Sequence, residues 1–249
     1  MGNTRLYRAG LLGIAVLAAG TAHACEGTTN CANGLAYQNF GPATAPVLAV
    51  FLHGDVSAGG PADYMVSHAR SFAAGRKNVV AVALLRPGYY DRNGAKSAGP
   101  DNGRRDGYGS GNVRTVANAI SELKTKFKAN KVVVLGHSGG AAIAGVILGS
   151  YGTINGAVLA ACACDISSWR GNWSSLSAIN YVGGIPAGAP VVAVTGSGDT
   201  NTIPKIAEDY IAKAQAAGKN AKVQIVGGGH NFGGGLAGAS VAALGSMAR

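Results

Sequence analysis

The 249-residue chain is 47% hydrophobic and only 13% charged, which excludes a disordered polymer and suffices for one α/β domain around a single core. Its formal net charge is +10, or about +8 without a leader that holds Arg5 and Arg8. No basic helix and no basic stripe interleaved with aromatics accompanies that charge, so nucleic-acid partners are not expected.

Residues 1–24 have the form of a secretory signal peptide: Arg5 and Arg8, then an apolar stretch from Ala9 to Gly20, then Ala22-His23-Ala24 as a small-x-small cleavage site. Cleavage there leaves residues 25–249 as a single domain, secreted or periplasmic. The apolar run is short for a membrane span, and no other segment could form one. A lipid anchor on Cys25 is the competing reading, against which Ala22 stands where leucine is usual. Cys25, Cys31, Cys162 and Cys164 all survive cleavage, and an even count in an exported chain predicts disulfides. Three pairings are open; Cys25–Cys31 with Cys162–Cys164 is favoured. No histidine stands at ligand spacing near either pair, so no metal site is expected, and no phosphate-cradling Gly-Lys motif or other cofactor signature is present.

Strand and helix signals then alternate, predicting a mostly parallel central sheet with helices on both faces. Strands are expected at Val47–Leu52, Val79–Leu85, Val132–Leu135, Ala157–Ala161 (with Cys162 to Cys164 finishing it), Val191–Thr195 and Val223–Val226. Helices are expected at Pro61–Ala74, Val113–Lys128, Ala141–Leu148, Ile203–Ala217 and Leu236–Met247. A long loop covers 86–111, and an irregular stretch of about 166–188 holds Trp169, Trp173 and Tyr181.

The most informative segment is Lys131–Gly140, KVVVLGHSGG. A β-branched run drives into Gly136-His137-Ser138-Gly139-Gly140, and a small-residue helix follows. In a G-x-S-x-G turn the serine takes a strained backbone conformation, and side chains two positions away would collide with the neighbouring strand or helix. Its hydroxyl is thereby presented at a helix N-terminus, where N–H groups can receive negative charge. A serine needs a base to take its proton and a carboxylate to orient that base. Asp199 ends a later strand and His230 follows the last one. In a parallel sheet these positions gather at one edge, the carboxyl ends of the strands.

With these motifs in order (H-G-D at 53–55, R-P-G-Y at 86–89, G-H-S-G-G at 136–140, G-S-G-D at 196–199 and G-H at 229–230), the chain resembles the α/β-hydrolase superfamily over nearly its whole mature length. The resemblance implies Ser138 as nucleophile, His230 as base and Asp199 as acid, with the N–H groups of Asp55 and Gly139 as oxyanion hole. One departure stands out: Thr200-Asn201-Thr202 separates Asp199 from Ile203-Pro204, so Asp165 is kept as an alternative acid. Among the other histidines, His53 is read as bracing the oxyanion loop, His137 as packing away from the serine and His68 as exposed on a helix. The basic set Arg86, Arg92, Lys96, Arg104, Arg105 and Arg114 is read as a solvated loop, anion recognition being the alternative. The 166–188 segment sits where such proteins insert a lid; its shortness predicts an open cleft, with Trp169, Trp173 and Tyr89 as candidate substrate contacts. The expected activity is hydrolysis of a small or aryl carboxylic ester through an acyl-enzyme. Amide or peptide hydrolysis, acyl transfer, and binding without turnover are the alternatives. The expected partner is a small-molecule ester or amide; the sequence leaves the oligomeric state open.

Overall fold

The computed structural model describes residues 25–249, so the expected signal peptide lies outside the described residues. Uninterrupted aliphatic runs build the centre of the sheet: β3 (Val47–Leu52), β4 (Val79–Leu84), β5 (Lys131–His137), β6 (Gly156–Ala160) and β7 (Val191–Gly196). Strands with no polar alternation must be covered on both faces, and these are. Along β3, Leu48, Val50 and Leu52 face one core while Val47, Ala49 and Phe51 face the other. The first core is covered by α2 (Ser110–Lys126), α3 (Gly139–Ser150) and α5 (Pro204–Ala216), the second by α1 (Met65–Ala73) and α6 (Gly234–Met247). With β1 (Cys31–Ala32), β2 (Leu35–Phe40) and β8 (Ala221–Val226) added, the order across the sheet is β1-β2-β4-β3-β5-β6-β7-β8. The strands from β3 to β8 run parallel, so their carboxyl ends form one rim.

Three differences from the sequence reading have physical causes. β1 (Cys31–Ala32) and β2 (Leu35–Phe40) form an antiparallel edge next to β4 that the sequence did not announce. LAYQNF is short and mixed, unlike the buried parallel strands. Helix α1 starts at Met65 rather than Pro61, because the preceding residues are engaged elsewhere. The Ala62 N–H donates to the Tyr90 carbonyl, and the Asp63 carboxylate takes Arg92 at 2.6 and 2.9 Å. Cys162 to Cys164 do not finish β6: Ala161 adopts φ +45°, which ends the strand and turns the chain. Both disulfides are present, Cys25–Cys31 and Cys162–Cys164, and the chain has no free cysteine. No helix among the described residues is long and apolar enough to cross a membrane.

Candidate active site

The turn after β5 is where the sheet meets the site. Ser138 takes φ +53° and ψ −117°, a conformation that a non-glycine residue holds only when its surroundings impose it. They do so from both sides. A Cβ at Gly136 would fall on the Gly140 carbonyl, and one at Gly140 would stand 2.5 Å from the carbonyl oxygens of Leu52 and His53. The Ser138 N–H donates to the Ala160 carbonyl at 2.8 Å, fixing the turn to β6. Ser138 thus becomes the N-cap residue of α3.

Two later strand ends supply its neighbours. Ser138 Oγ lies 3.0 Å from His230 Nε2, and His230 Nδ1 lies 2.9 Å from Asp199 Oδ2. Asp199 is 2% exposed. Its carboxylate also accepts the N–H groups of Asn201 and Thr202 at 2.8 and 3.0 Å, and its Oδ2 lies 2.8 Å from Thr202 Oγ1. The residues that lengthen the spacing to Pro204 are therefore the ones that hold the carboxylate in place. Thr202 Oγ1 also reaches the Ala161 carbonyl at 3.0 Å, so the positive-φ turn after β6 supports the same group. Asp165 is not brought to His230. It caps the short helix α4 (Ile166–Trp169) and accepts the hydroxyls of Ser167 and Ser168 at 2.6 and 2.7 Å.

The 53–55 loop lies directly against the serine: a Cβ at Gly54 would stand 2.9 Å from Ser138 Cβ. The N–H groups of Asp55 and Gly139 have no acceptor among the described residues. The Gly54 N–H is spent on the Tyr64 hydroxyl. His53 braces this loop. Its Nε2 accepts the Arg86 N–H at 3.0 Å, and its Nδ1 donates to the Gly54 carbonyl at 2.7 Å. Burial, reinforced by the Arg86 charge, lowers the His53 pKa to about 3, so the ring stays neutral. Below the loop the Asp55 carboxylate accepts Arg86 Nη1 at 2.9 Å, the Tyr89 hydroxyl at 3.3 Å and the Tyr108 hydroxyl. Burial acts to strip the Arg86 proton, but the adjoining carboxylate prevails and the pKa is raised. Arg86 is thus a buried structural charge and not part of a solvated loop. Arg92 pairs with Asp63 and Lys96 with Glu26, while Arg114 is exposed on α2.

His137 does more than pack. Its Nε2 donates to the His230 carbonyl at 2.8 Å, which leaves Nδ1 to accept the Tyr64 hydroxyl proton at 2.7 Å. Burial lowers its pKa to about 4 and raises that of Tyr64, so both groups stay neutral in these roles. One chain of hydrogen bonds therefore runs from the 53–55 loop through Tyr64 and His137 to the backbone of His230. His68 is half-buried, its ring 4.9 Å from that of Phe232, rather than exposed.

Over the serine opens a cleft of about 510 Å³, lined by Ser138, His230 and Asp55 together with Trp169, Trp173, Arg104, Arg105 and Arg170. The two indoles meet edge to face at 5.2 Å, and Trp169 Nε1 donates to the Asn201 carbonyl at 2.7 Å, tying the 166–188 segment to the loop that carries Asp199. Tyr89 does not line this cleft. It is 1% exposed, with its ring 4.6 Å from His53, because its hydroxyl is drawn beneath the loop to Asp55. Tyr108, which the sequence reading passed over, takes a place against the elbow: a Cβ at Gly139 would strike its ring. A lone tyrosine in a glycine-rich loop carries no signal of that contact. No group of acidic, histidine or cysteine side chains among the described residues could hold a metal ion.

The fold and this rim together define the α/β-hydrolase fold. No protein-family description matches the chain, and no curated protein is recognisably similar to it in sequence. Solved structures do resemble it. The protein TT1662 from Thermus thermophilus aligns with a TM-score of 0.67 at 14% identity, over 88% of this chain and 95% of that one. Est1E from Butyrivibrio proteoclasticus, solved with ferulic acid, gives 0.66 at 14% identity over 86% and 94%. The propionate-bound esterase Est2 from Thermogutta terrifontis gives 0.63 at 17% over 91% and 93%. At these identities the likeness is one of fold.

Proposed function

We propose that the protein is a secreted serine hydrolase that cleaves a small or aryl carboxylic ester through an acyl-enzyme. The observation that carries this reading is the continuous hydrogen-bonded chain from Ser138 Oγ through His230 to the buried Asp199 at an open cleft, beside the N–H groups of Asp55 and Gly139, which have no acceptor among the described residues. In the first half-reaction His230 Nε2 takes the hydroxyl proton as Oγ bonds to the ester carbon. The negative charge that develops on the carbonyl oxygen is received by the N–H groups of Asp55 and Gly139, whose dipoles are already in place. Collapse breaks the bond to the alcohol oxygen, which leaves with the proton from His230. Water then repeats the sequence on the acyl-serine and releases the acid. Asp199 holds the Nδ1–H tautomer and stabilises the imidazolium. Two disulfides suit an oxidising compartment. The esterases among the similar folds, and the ferulic acid in one of them, support an ester with a modest acyl or aryl group.

The deciding experiment combines a fluorophosphonate probe with a panel of ester, amide and peptide substrates on the mature protein. The probe should label Ser138 alone, and esters should be turned over fastest. Labelling of another serine, or turnover of peptides in preference to esters, would overturn the assignment. A histidine base must be neutral to accept the serine proton, so the rate should also fall on acidification.

A further inference from the structure

Building on the hydrolase reading above, we propose that the cleft is selective for an ester carrying a negatively charged group, such as a carboxylate on a planar skeleton. Arg105 and Arg170 meet the anion, and Trp169 and Trp173 supply the apolar wall. The charge around the reacting serine is unbalanced. Three arginines line the cleft. Arg104 is spent: its Nη1 donates to the carbonyls of Val56 and Gly60 at 3.2 and 2.7 Å, and its Nε lies 3.6 Å from Asp101. Arg105 and Arg170 pair with no carboxylate among the described residues.

Arg170 is nonetheless held in place. Its Nη2 donates to Asn201 Oδ1 at 3.1 Å, its Nη1 to the Trp169 carbonyl at 3.2 Å, and its guanidinium lies 4.4 Å from the centre of the Trp169 ring. These partners orient the charge without neutralising it. Of the carboxylates nearby, Asp55 is neutralised by Arg86, while Asp106 and Asp165 keep their charge but are turned to Ser174 and Ser175 and to Ser167 and Ser168, and neither forms an ion pair with Arg105 or Arg170. A neutral ester leaves both guanidinium groups facing solvent. An anionic one gains the attraction of two exposed guanidinium groups that converge on the same cleft. A cation stacked on an indole beside a second indole also fits a planar group bearing a carboxylate.

The chain's two tryptophans both line this cleft, so intrinsic fluorescence reports on it directly. Ser138→Ala protein is titrated with benzoate and with benzamide, which differ in charge but little in shape. Benzoate should bind roughly two- to twenty-fold more tightly, the product of two exposed charge contacts, and the advantage should shrink in high salt. Arg105→Gln with Arg170→Gln should abolish it. Lys77→Gln with Lys128→Gln removes the same charge at the opposite, amino-terminal rim of the sheet and should preserve it. Equal affinities, or an advantage that survives the double arginine variant, would refute the proposal.

Turnover by the unmodified protein separates this from the hydrolase reading. 4-Carboxyphenyl acetate is compared with 4-carbamoylphenyl acetate, and monomethyl terephthalate with methyl 4-carbamoylbenzoate. A preference for the charged member in one pair, lost in the arginine variant, shows on which side of the ester the anion sits. Equal turnover within both pairs together with equal affinities leaves a hydrolase without anion selectivity. Benzoate selectivity with no turnover and no fluorophosphonate labelling leaves an anion site and removes the hydrolase.

Discussion

At Asp199 the contribution of single side chains is most exposed to test. Its carboxylate is held by two backbone N–H groups and faces His230, with Thr202 as the common neighbour. Asp199→Asn keeps the shape but loses the acceptor that fixes the Nδ1–H tautomer. Its kcat should fall by about three to four orders of magnitude, with residual turnover from the oxyanion donors. Thr202→Val keeps the backbone N–H and removes only the hydroxyl, so a loss of about tenfold or less in kcat is expected, without a matching rise in KM. If Asp165→Asn proves more damaging than Asp199→Asn, the choice of acid is wrong. Tyr64→Phe breaks the link between the Gly54 N–H and His137, and its effect on kcat should not add to that of His137→Gln, because both interrupt one chain of bonds. Independent effects would show that the two residues merely pack.

Among elements, the parallel strands and the elbow were legible in the sequence because each obeys one strong local rule. Val132–Leu135 had to be a buried strand, and Gly136 and Gly140 had to be bare for strand and helix to meet around Ser138. Asp199 and His230 could be named because parallel topology sends strand ends to one rim. What escaped depends on partners distant in the chain. β2 is a strand only because β4 pairs with it; Tyr64, Tyr108 and Thr202 matter through contacts with loops far along the sequence. The turn after β6 reads in sequence as more strand because nothing local marks the positive φ of Ala161. That turn is closed by Cys162–Cys164, a bridge spanning two positions, so it removes little chain entropy. Replacing both cysteines by alanine should cost no more than about 2 kcal/mol of stability. The larger effect should appear in kcat, since Ala161 carries the carbonyl that Thr202 reaches. Thiol titration of the denatured, unreduced protein should find no free thiol, and two or more would contradict both bridges.

For the whole molecule, the neutral buried histidines couple the architecture of the site to pH. His53 and His137 brace the 53–55 loop and the His230 loop, and their pKa values are lowered to about 3 and about 4 by burial. In the unfolded chain each titrates near the ordinary histidine value of roughly 6.5. Above that pH both states leave the rings neutral, and the histidines add no pH dependence. As the pH falls below it, the unfolded chain takes up protons at His53 and His137 that the folded protein refuses, and half-buried His68, also lowered by burial, adds to the effect, so acid favours unfolding. The slope should approach about 1.4 kcal/mol per pH unit for each histidine, until the folded protein begins to protonate near pH 4. Asp63, Asp106 and Asp165 act in a lower window. Arg92 holds Asp63 down by hydrogen bonds and charge, and at Asp106 and Asp165 burial acts to raise the pKa but serine hydrogen bonds prevail, so the stabilisation of all three is complete above the ordinary carboxyl range and lost as the pH drops below it. Urea midpoints measured from pH 8 to pH 4 should therefore be level at first and then fall steeply below about pH 6.5. His137→Gln, which keeps a donor and an acceptor but cannot titrate in this range, should remove about 1.4 kcal/mol per pH unit of the slope. A midpoint that stays constant down to pH 5 would mean that the two rings are not held neutral in the folded protein, and with that the proposed tautomers of the bracing chain would fail.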